Sequence, residues 1–338
     1  MSHLAIPSHR TWSGLNAGRS VLKRLLLLGL FLAHGATSAA DSPYSPVTVE
    51  IPLQRVSEHV WLVQGVAGSA TENQGFVSNA GFVVTEQGVV VVDALGSPSL
   101  GWALRQAIRG VTDQPVTHVV LTHYHADHAY GVQVFKDEGA RVLAPAGALD
   151  YLDSELAVER LQERQNSLFP WVDERTRLVR PDQLVETEST LDFGGIRLDL
   201  IYLGSAHSEG DVAVLVEPDR VLFSGDIIFE GRTPFVGNAD TRQWLEALKR
   251  MEAMQLEALI PGHGAAAADP NRMVGVTRRY IEFLRTVMGA AVDELVSFDE
   301  AYTEADWSEF SHLPAFDAAN RRNAYQVYLA IEEEQLAQ

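Results

Sequence analysis

Three imidazoles and a carboxylate fall within six residues of this chain. The segment Thr122-His123-Tyr124-His125-Ala126-Asp127-His128 follows directly on the apolar run Val116–Leu121. Such a run predicts a strand covered on both faces. The cluster then sits at the strand's C-terminal end, where sheets with helical connections build their ligand sites. Packed imidazoles are costly to bury without partners, and a metal ion is the partner that several of them can share. Two more histidines close predicted strands: His207, in Gly204–Asp211, and His263, in Ile260–Gly264. Asp226 closes another, in Leu222-Phe223-Ser224-Gly225-Asp226.

The sequence has no cysteine in 338 residues. That removes disulfides, thiolate ligands and cysteine nucleophiles, and leaves imidazole and carboxylate to hold zinc, iron or manganese. Of the eleven histidines, His3, His9 and His34 lie in the first 40 residues, and five of the remaining eight end predicted strands. His59, His118 and His312 are expected to be ordinary hydrogen-bonded residues.

Residues 1–40 carry Arg10, Arg19, Lys23 and Arg24 and no acidic residue, followed by the apolar run Leu25–Ala33 and the small residues Thr37-Ser38-Ala39-Ala40. This is the pattern of a cleavable secretory signal. A nine-residue run is too short to cross roughly 30 Å of hydrocarbon. The expectation is cleavage after Ala40, a periplasmic or secreted protein, and no stable membrane anchor afterwards; initiation at Val21 would leave a shorter leader of the same kind. Without residues 1–40, 22 basic side chains face 45 acidic ones, so the net charge moves from −19 to −23. That balance repels nucleic acid, which is therefore not an expected partner, and does not identify the substrate.

Downstream, strand signals run over Val49–Val66, Gly81–Thr85 and Val89–Val92, then Val116–Thr122 and Arg141–Ala144. They return at Leu191–Tyr202, Asp211–Val216, Arg220–Phe223 and Ala258–Ile260. Helical spacing covers Leu100–Ile108, Tyr130–Lys136 and Thr241–Met254. Residues 147–182 read as a mostly helical insertion interrupted by Phe169-Pro170-Trp171. From Asn271 the chain reads as helical, with breaks near Ser297 and Pro314. Strand clusters followed by helices, twice over, predict an α/β layered sandwich of αββα type.

The ordered set His123, His125, Asp127, His128, His207, Asp226 and His263 resembles the metallo-β-lactamase-fold hydrolase superfamily, over roughly residues 50–265. The resemblance implies an αββα four-layer sandwich at 41–270 with a two-metal site at one edge; the C-terminal helices at 271–338 resemble those of periplasmic, Sox-type members. By position, His123, His125 and His207 would hold one metal, Asp127, His128 and His263 the other, and Asp226 would bridge them. Two Zn2+ ions are expected, with iron or manganese as alternatives. An aspartate bridge is similar to the glyoxalase II-like branch, whereas β-lactamases usually carry cysteine or histidine there.

The implied activity is hydrolysis of a small ester, thioester, lactone or amide by a metal-bridging hydroxide, with Asp127 orienting the water or acting as base. The rival activities are a mononuclear iron oxidoreductase of the persulfide dioxygenase type and a β-lactamase. Asp93, Thr122 and Asp211 are candidates to orient the ligands, and Tyr124 to contact substrate or pack.

Overall fold

A computed structural model describes residues 42–337 except Ala268; the expected leader at 1–40 lies outside the described residues. The chain opens with strands β1 (Leu53–Arg55), β2 (Val60–Val63), β3 (Ala80–Thr85) and β4 (Gly88–Val92), then helix α1 (Pro98–Arg109) and β5 (Val116–Val120). After β5 come a one-turn helix α2 (Ala126–Ala129), α3 (Val132–Asp137) and β6 (Arg141–Pro145). Helices α4 (Ala148–Leu152) and α5 (Glu155–Ser167) lead to β7 (Gln183–Val185), which completes a seven-stranded sheet in the order β1 to β7. Its first three pairings are antiparallel and its last three parallel.

The second sheet has five strands: β8 (Ser189–Asp192), β9 (Arg197–Gly204), β10 (Asp211–Val216), β11 (Val221–Phe229) and β12 (Ala258–His263), in the order β12-β11-β10-β9-β8. Helix α6 (Thr241–Glu252) connects β11 to β12 in a parallel pair. Helices α7 (Pro270–Asp293), α8 (Phe298–Glu304) and α9 (Phe316–Leu336) form the C-terminal extension. Helix starts follow the sequence: Ser97 caps α1 just before Pro98, and Ser297 caps α8.

Strand alternation sorts side chains into layers. In β4, Val90 and Val92 point between the sheets, whereas Val89 and Val91 face α1 and α3. In β10, Val212, Val214 and Val216 meet the first sheet, whereas Ala213 and Leu215 face α6 and α7. The result is helix, sheet, sheet, helix, as predicted.

Two local differences have physical causes. Residues 168–182 contain no helix, because Pro170 and Pro181 each remove a backbone donor and disfavour helix before them. Strand β11 does not end at Asp226 but runs to Phe229. Its pairing with β12 shifts register around Gly225, which takes φ +54°. Asp226 therefore sits at a bulge inside a strand, and such irregularities redirect a side chain out of the pleat.

The extension also holds the segment that leaves β11. Asn323 of α9 donates to Pro234 O at 2.7 Å and accepts from Val236 N at 3.0 Å. The Tyr280 hydroxyl accepts from Asn323 at 2.9 Å and donates to Asn320 at 2.8 Å. All three side chains are buried and satisfied, so the network fixes one arrangement of helices and loop.

Candidate metal centre

The seven predicted residues come together from four places in the fold. His125 caps α2 with extended backbone, so His123 and His125 precede the turn while Asp127 and His128 lie within it. His207 lies in the connection from β9 to β10, Asp226 at the β11 bulge, and His263 at the last position of β12.

Two donor groups result, His123/His125/His207/Asp226 and Asp127/His128/His263; within each, the donor atoms all lie within 4.8 Å of one another. In the first, His125 Nδ1 is 3.0 Å from His123 Nε2 and 3.1 Å from His207 Nε2. Asp226 Oδ2 is 3.5 Å from His207 Nε2 and 3.8 Å from His123 Nε2. In the second, Asp127 Oδ2 is 3.4 Å from His263 Nε2 and 3.6 Å from His128 Nε2. Asp226 reaches this group too, with Oδ1 3.2 Å from His128 Nε2 and Oδ2 3.4 Å from His263 Nε2. Tetrahedral donors around zinc stand roughly 3.3 Å apart, given bonds of about 2.0–2.1 Å, so the observed spacings suit such an ion.

Two orphaned atoms point the same way. His128 Nε2 and Asp226 Oδ1 are close but misaligned for a hydrogen bond, and each is buried without a partner. Buried polar atoms are nearly always paired, and a cation would satisfy both.

The outer nitrogens fix which lone pairs face inward. His128 Nδ1 is 2.8 Å from Asp93 Oδ2 and His263 Nδ1 is 2.8 Å from Val77 O, so both Nδ1 atoms donate and both Nε2 atoms face the site. Thr122 Oγ1 gives its proton to Asp93 Oδ2 at 2.8 Å and accepts from His123 Nδ1 at 3.0 Å. Asp93 Oδ1 also accepts from Thr122 N at 2.8 Å, and Asp93 itself adopts φ +58°. A carboxylate thus aims two imidazoles, one of them through a hydroxyl. Asp93→Ala is expected to lower metal affinity or turnover by about 10- to 100-fold; equilibrium dialysis against a competing chelator measures the affinity, and wild-type retention would rule out the orienting role.

Asp211 acts on backbone instead: it accepts from Ala206 N at 3.1 Å, Ser208 N at 2.9 Å and Ser208 Oγ at 3.0 Å, and so fixes the His207 turn. Burial pushes its pKa up to about 7 against those hydrogen bonds. Tyr124 packs: its ring stacks on Tyr151 at 4.3 Å, and its hydroxyl accepts from Glu209 N at 3.4 Å. His59 pairs with Asp219 at 2.7 Å and His118 packs edge-on against Phe193; both stand apart from the centre.

Sequence reading missed Ser78, Asn79 and Gly262. Ser78 Oγ donates to Asp127 O at 2.5 Å. Asn79 Nδ2 donates to Pro261 O and Gly264 O, each at 2.8 Å, and so ties the residue before β3 to β12 and to the turn that follows it. A Cβ on Gly262 would overlap Asp226 Oδ1. The signal for the first two was a Ser-Asn pair entering an apolar strand, which also fits a plain turn.

Without metal, the two groups differ in charge. Burial, then repulsion from His128 and His125, hold His123 well below its ordinary pKa; burial takes His207 down to about 3. Burial opposes charging of His128 and His263 as well, but Asp226 and its neighbours outweigh it, with Asp93 and Asp127 acting on His128 and Asp127 on His263. His128 therefore rises well above its usual value and His263 to about 9. Both are raised, so at pH 7 each carries a proton that a metal must displace. Metal titration at pH 7 is therefore expected to release protons, seen by calorimetry in buffers of different ionisation enthalpy; a heat that is the same in every buffer would contradict these states.

Comparison with known proteins gives concordant results. Residues 73–263, more than half of the chain, match the family model of the metallo-beta-lactamase superfamily. The chain is 24% identical over 225 residues to a metallo-beta-lactamase type 2 of Bacillus sp. (strain 170), covering 64% of this chain and 77% of that protein. It is 30% identical over 202 residues to an acyl-coenzyme A thioesterase of Gallus gallus, covering 55% and 72%. Among solved structures, the inverting sec-alkylsulfatase Pisa1 of Pseudomonas sp. superposes with a TM-score of 0.64 at 19% identity, over 83% of this chain and 50% of that one. A metallo-beta-lactamase from Pontibacter korlensis gives 0.53 at 21% identity, over 69% and 99%; at these identities the likeness speaks for the fold. With the family model, it places this chain in the metallo-beta-lactamase superfamily.

Proposed function

We propose that this chain is an exported metallo-hydrolase that holds two divalent ions, zinc first among them, and cleaves a small ester, thioester, lactone or amide. The observation that carries the reading is the pair of donor groups sharing Asp226, with His128 Nε2 and Asp226 Oδ1 left without partners. His123, His125 and His207 would hold one ion, Asp127, His128 and His263 the other, with Asp226 between them. When bound, such ions lower the pKa of a coordinated water toward neutrality and polarise the substrate's carbonyl oxygen.

The protein's own contribution is positioning. Asp127 keeps 26% of its side chain exposed, against 6% for Asp226, so it is the site carboxylate that a substrate-side water can reach. Its role in the proposal is to orient that water and accept its proton. Ser78 anchors the Asp127 backbone, and Asp93 and Thr122 keep the imidazole lone pairs inward.

The test is a panel of 4-nitrophenyl esters, acyl thioesters, lactones, amides and a β-lactam, run on the mature protein with and without chelator. Chelator-sensitive turnover of at least one class supports the reading. One iron per chain with oxygen uptake on a persulfide, and no hydrolysis, would replace it. Export rests on the leader-like residues 1–40 and predicts a secreted or periplasmic product beginning at Asp41; mass spectrometry that finds residues 1–40 retained would overturn it.

A further inference from the structure

Residues 43–51 precede β1 and are held along their length. Arg175 Nη1 donates to Pro43 O at 2.8 Å, the Tyr44 ring lies 6.2 Å from Trp102 of α1, and Trp171 Nε1 donates to Pro46 O at 3.1 Å. Val47, Val49 and Ile51 pack against the core that includes Leu104 and Phe135, while Thr48 is exposed between them. Thr48 N donates to Gln74 Oε1 at 2.9 Å, and Gln74 Nε2 donates back to Thr48 Oγ1. One side-chain amide thus spends both of its ends on one residue. Val47 and Val49 already fix Thr48, so closing this pair orders little that was free.

Gln74 opens a bend that its own backbone resists. It takes φ +57° and is followed by Gly75 at φ +86°. A residue with a Cβ is disfavoured in that region and stays there when its surroundings hold it. The pair with Thr48 supplies that hold.

The bend reaches the second donor group, Asp127, His128 and His263, by three contacts. Gly75 O and Asp127 Cα both crowd Gly96, where a Cβ would lie 2.7 Å from the first and 3.2 Å from the second. Val77 O accepts from His263 Nδ1 at 2.8 Å, and Ser78 Oγ donates to Asp127 O at 2.5 Å. All three end on Asp127 or His263, and none on His123, His125 or His207 of the other group.

We propose that Gln74 is a positioning residue for the second metal ion: its pairing with Thr48 fixes the bend at 74–78, and the bend fixes Asp127 and His263. Partners outside a metal's ligand set set its affinity by holding the ligands in place. The proposal rests on the two-ion reading and gives the strap at 43–51 a role in the affinity of one ion.

Stepwise zinc affinity of the mature protein, measured against a competing chelator, tests it, with His263→Ala identifying which of the two steps belongs to the second group. Gln74→Met keeps the length of the side chain and removes both hydrogen bonds. It is expected to weaken that step about tenfold and to leave the other unchanged. Thr48→Val removes the Oγ1 contact alone, is expected to weaken the same step about threefold, and serves if Gln74→Met does not fold. Gln74→Glu still accepts from Thr48 N and from the Thr48 hydroxyl, and is expected to bind zinc as the wild type does. Wild-type binding in both Gln74→Met and Thr48→Val, equal weakening of the two steps, or a Gln74→Glu variant no better than Gln74→Met would each overturn the positioning role. A wild type that binds one ion or none would remove the two-ion reading itself, and the proposal with it.

Discussion

Asp226→Asn is expected to lower kcat/KM by about a thousandfold or more and to strip metal from the protein. This carboxylate lies within 3.8 Å of four imidazoles, more than any other group in the centre. The substitution keeps the volume but removes the negative charge that two donor groups share. It also turns an amide hydrogen toward nitrogens whose lone pairs face inward. Metal sites supply several kcal/mol of charge stabilisation, and about 4 kcal/mol corresponds to a factor near a thousand. Metal content per chain and hydrolysis rate, measured on the same folded preparation, check the result. A variant with full metal and wild-type turnover would mean that Asp226 is a structural residue.

Trp244→Ala carries the second large effect, this time through packing. Trp244 is fully buried, and its Nε1 donates to Ile227 O at 2.9 Å, one residue beyond Asp226. Its ring meets His207 edge-on at 5.3 Å, and Phe229 approaches the same imidazole at 5.7 Å. His207 Nδ1 has no hydrogen-bond partner, so these two rings, rather than an acceptor, hold the imidazole in place. Truncation opens a cavity and orphans a carbonyl, at a cost of about 3–5 kcal/mol. For a domain of this size that lowers Tm by roughly 10 °C. Calorimetry gives the stability loss, and turnover well below Tm should fall as well because His207 is freed. Trp244→Phe retains a ring and is expected to fall between the two. A Tm within 2 °C of wild type would contradict this account of the packing.

The fold was largely legible because the strands are long and apolar on two faces. The four valines after Gly88 and the Val-Ala-Val-Leu-Val of β10 alternate between two distinct cores, and only a two-sheet sandwich buries both sets. The Ser297 cap and Pro314 marked the breaks in the C-terminal helices. Clustering of the ligand-type side chains was readable at His123–His128, where spacing within one turn places them together.

Other features depend on contacts far apart in sequence. Asp226 looked like a strand end because Gly225 breaks the pattern, whereas pairing with β12 carries the strand on to Phe229. Ser78 and Asn79 resemble any polar turn until their partners 49 to 185 residues away are in place. Local pattern reveals periodicity, but it cannot say which neighbour closes over an element.

On the proposed reading, the two donor groups that share Asp226 would hold the metal with which this chain hydrolyses its substrate. Metal quantification on the mature protein, coupled to turnover of a substrate from the ester and thioester panel, tests it most directly. The expected result is two zinc ions per chain, activity lost on chelation and restored by zinc. A protein that retains no divalent metal, or hydrolysis that is indifferent to its removal, would contradict the account.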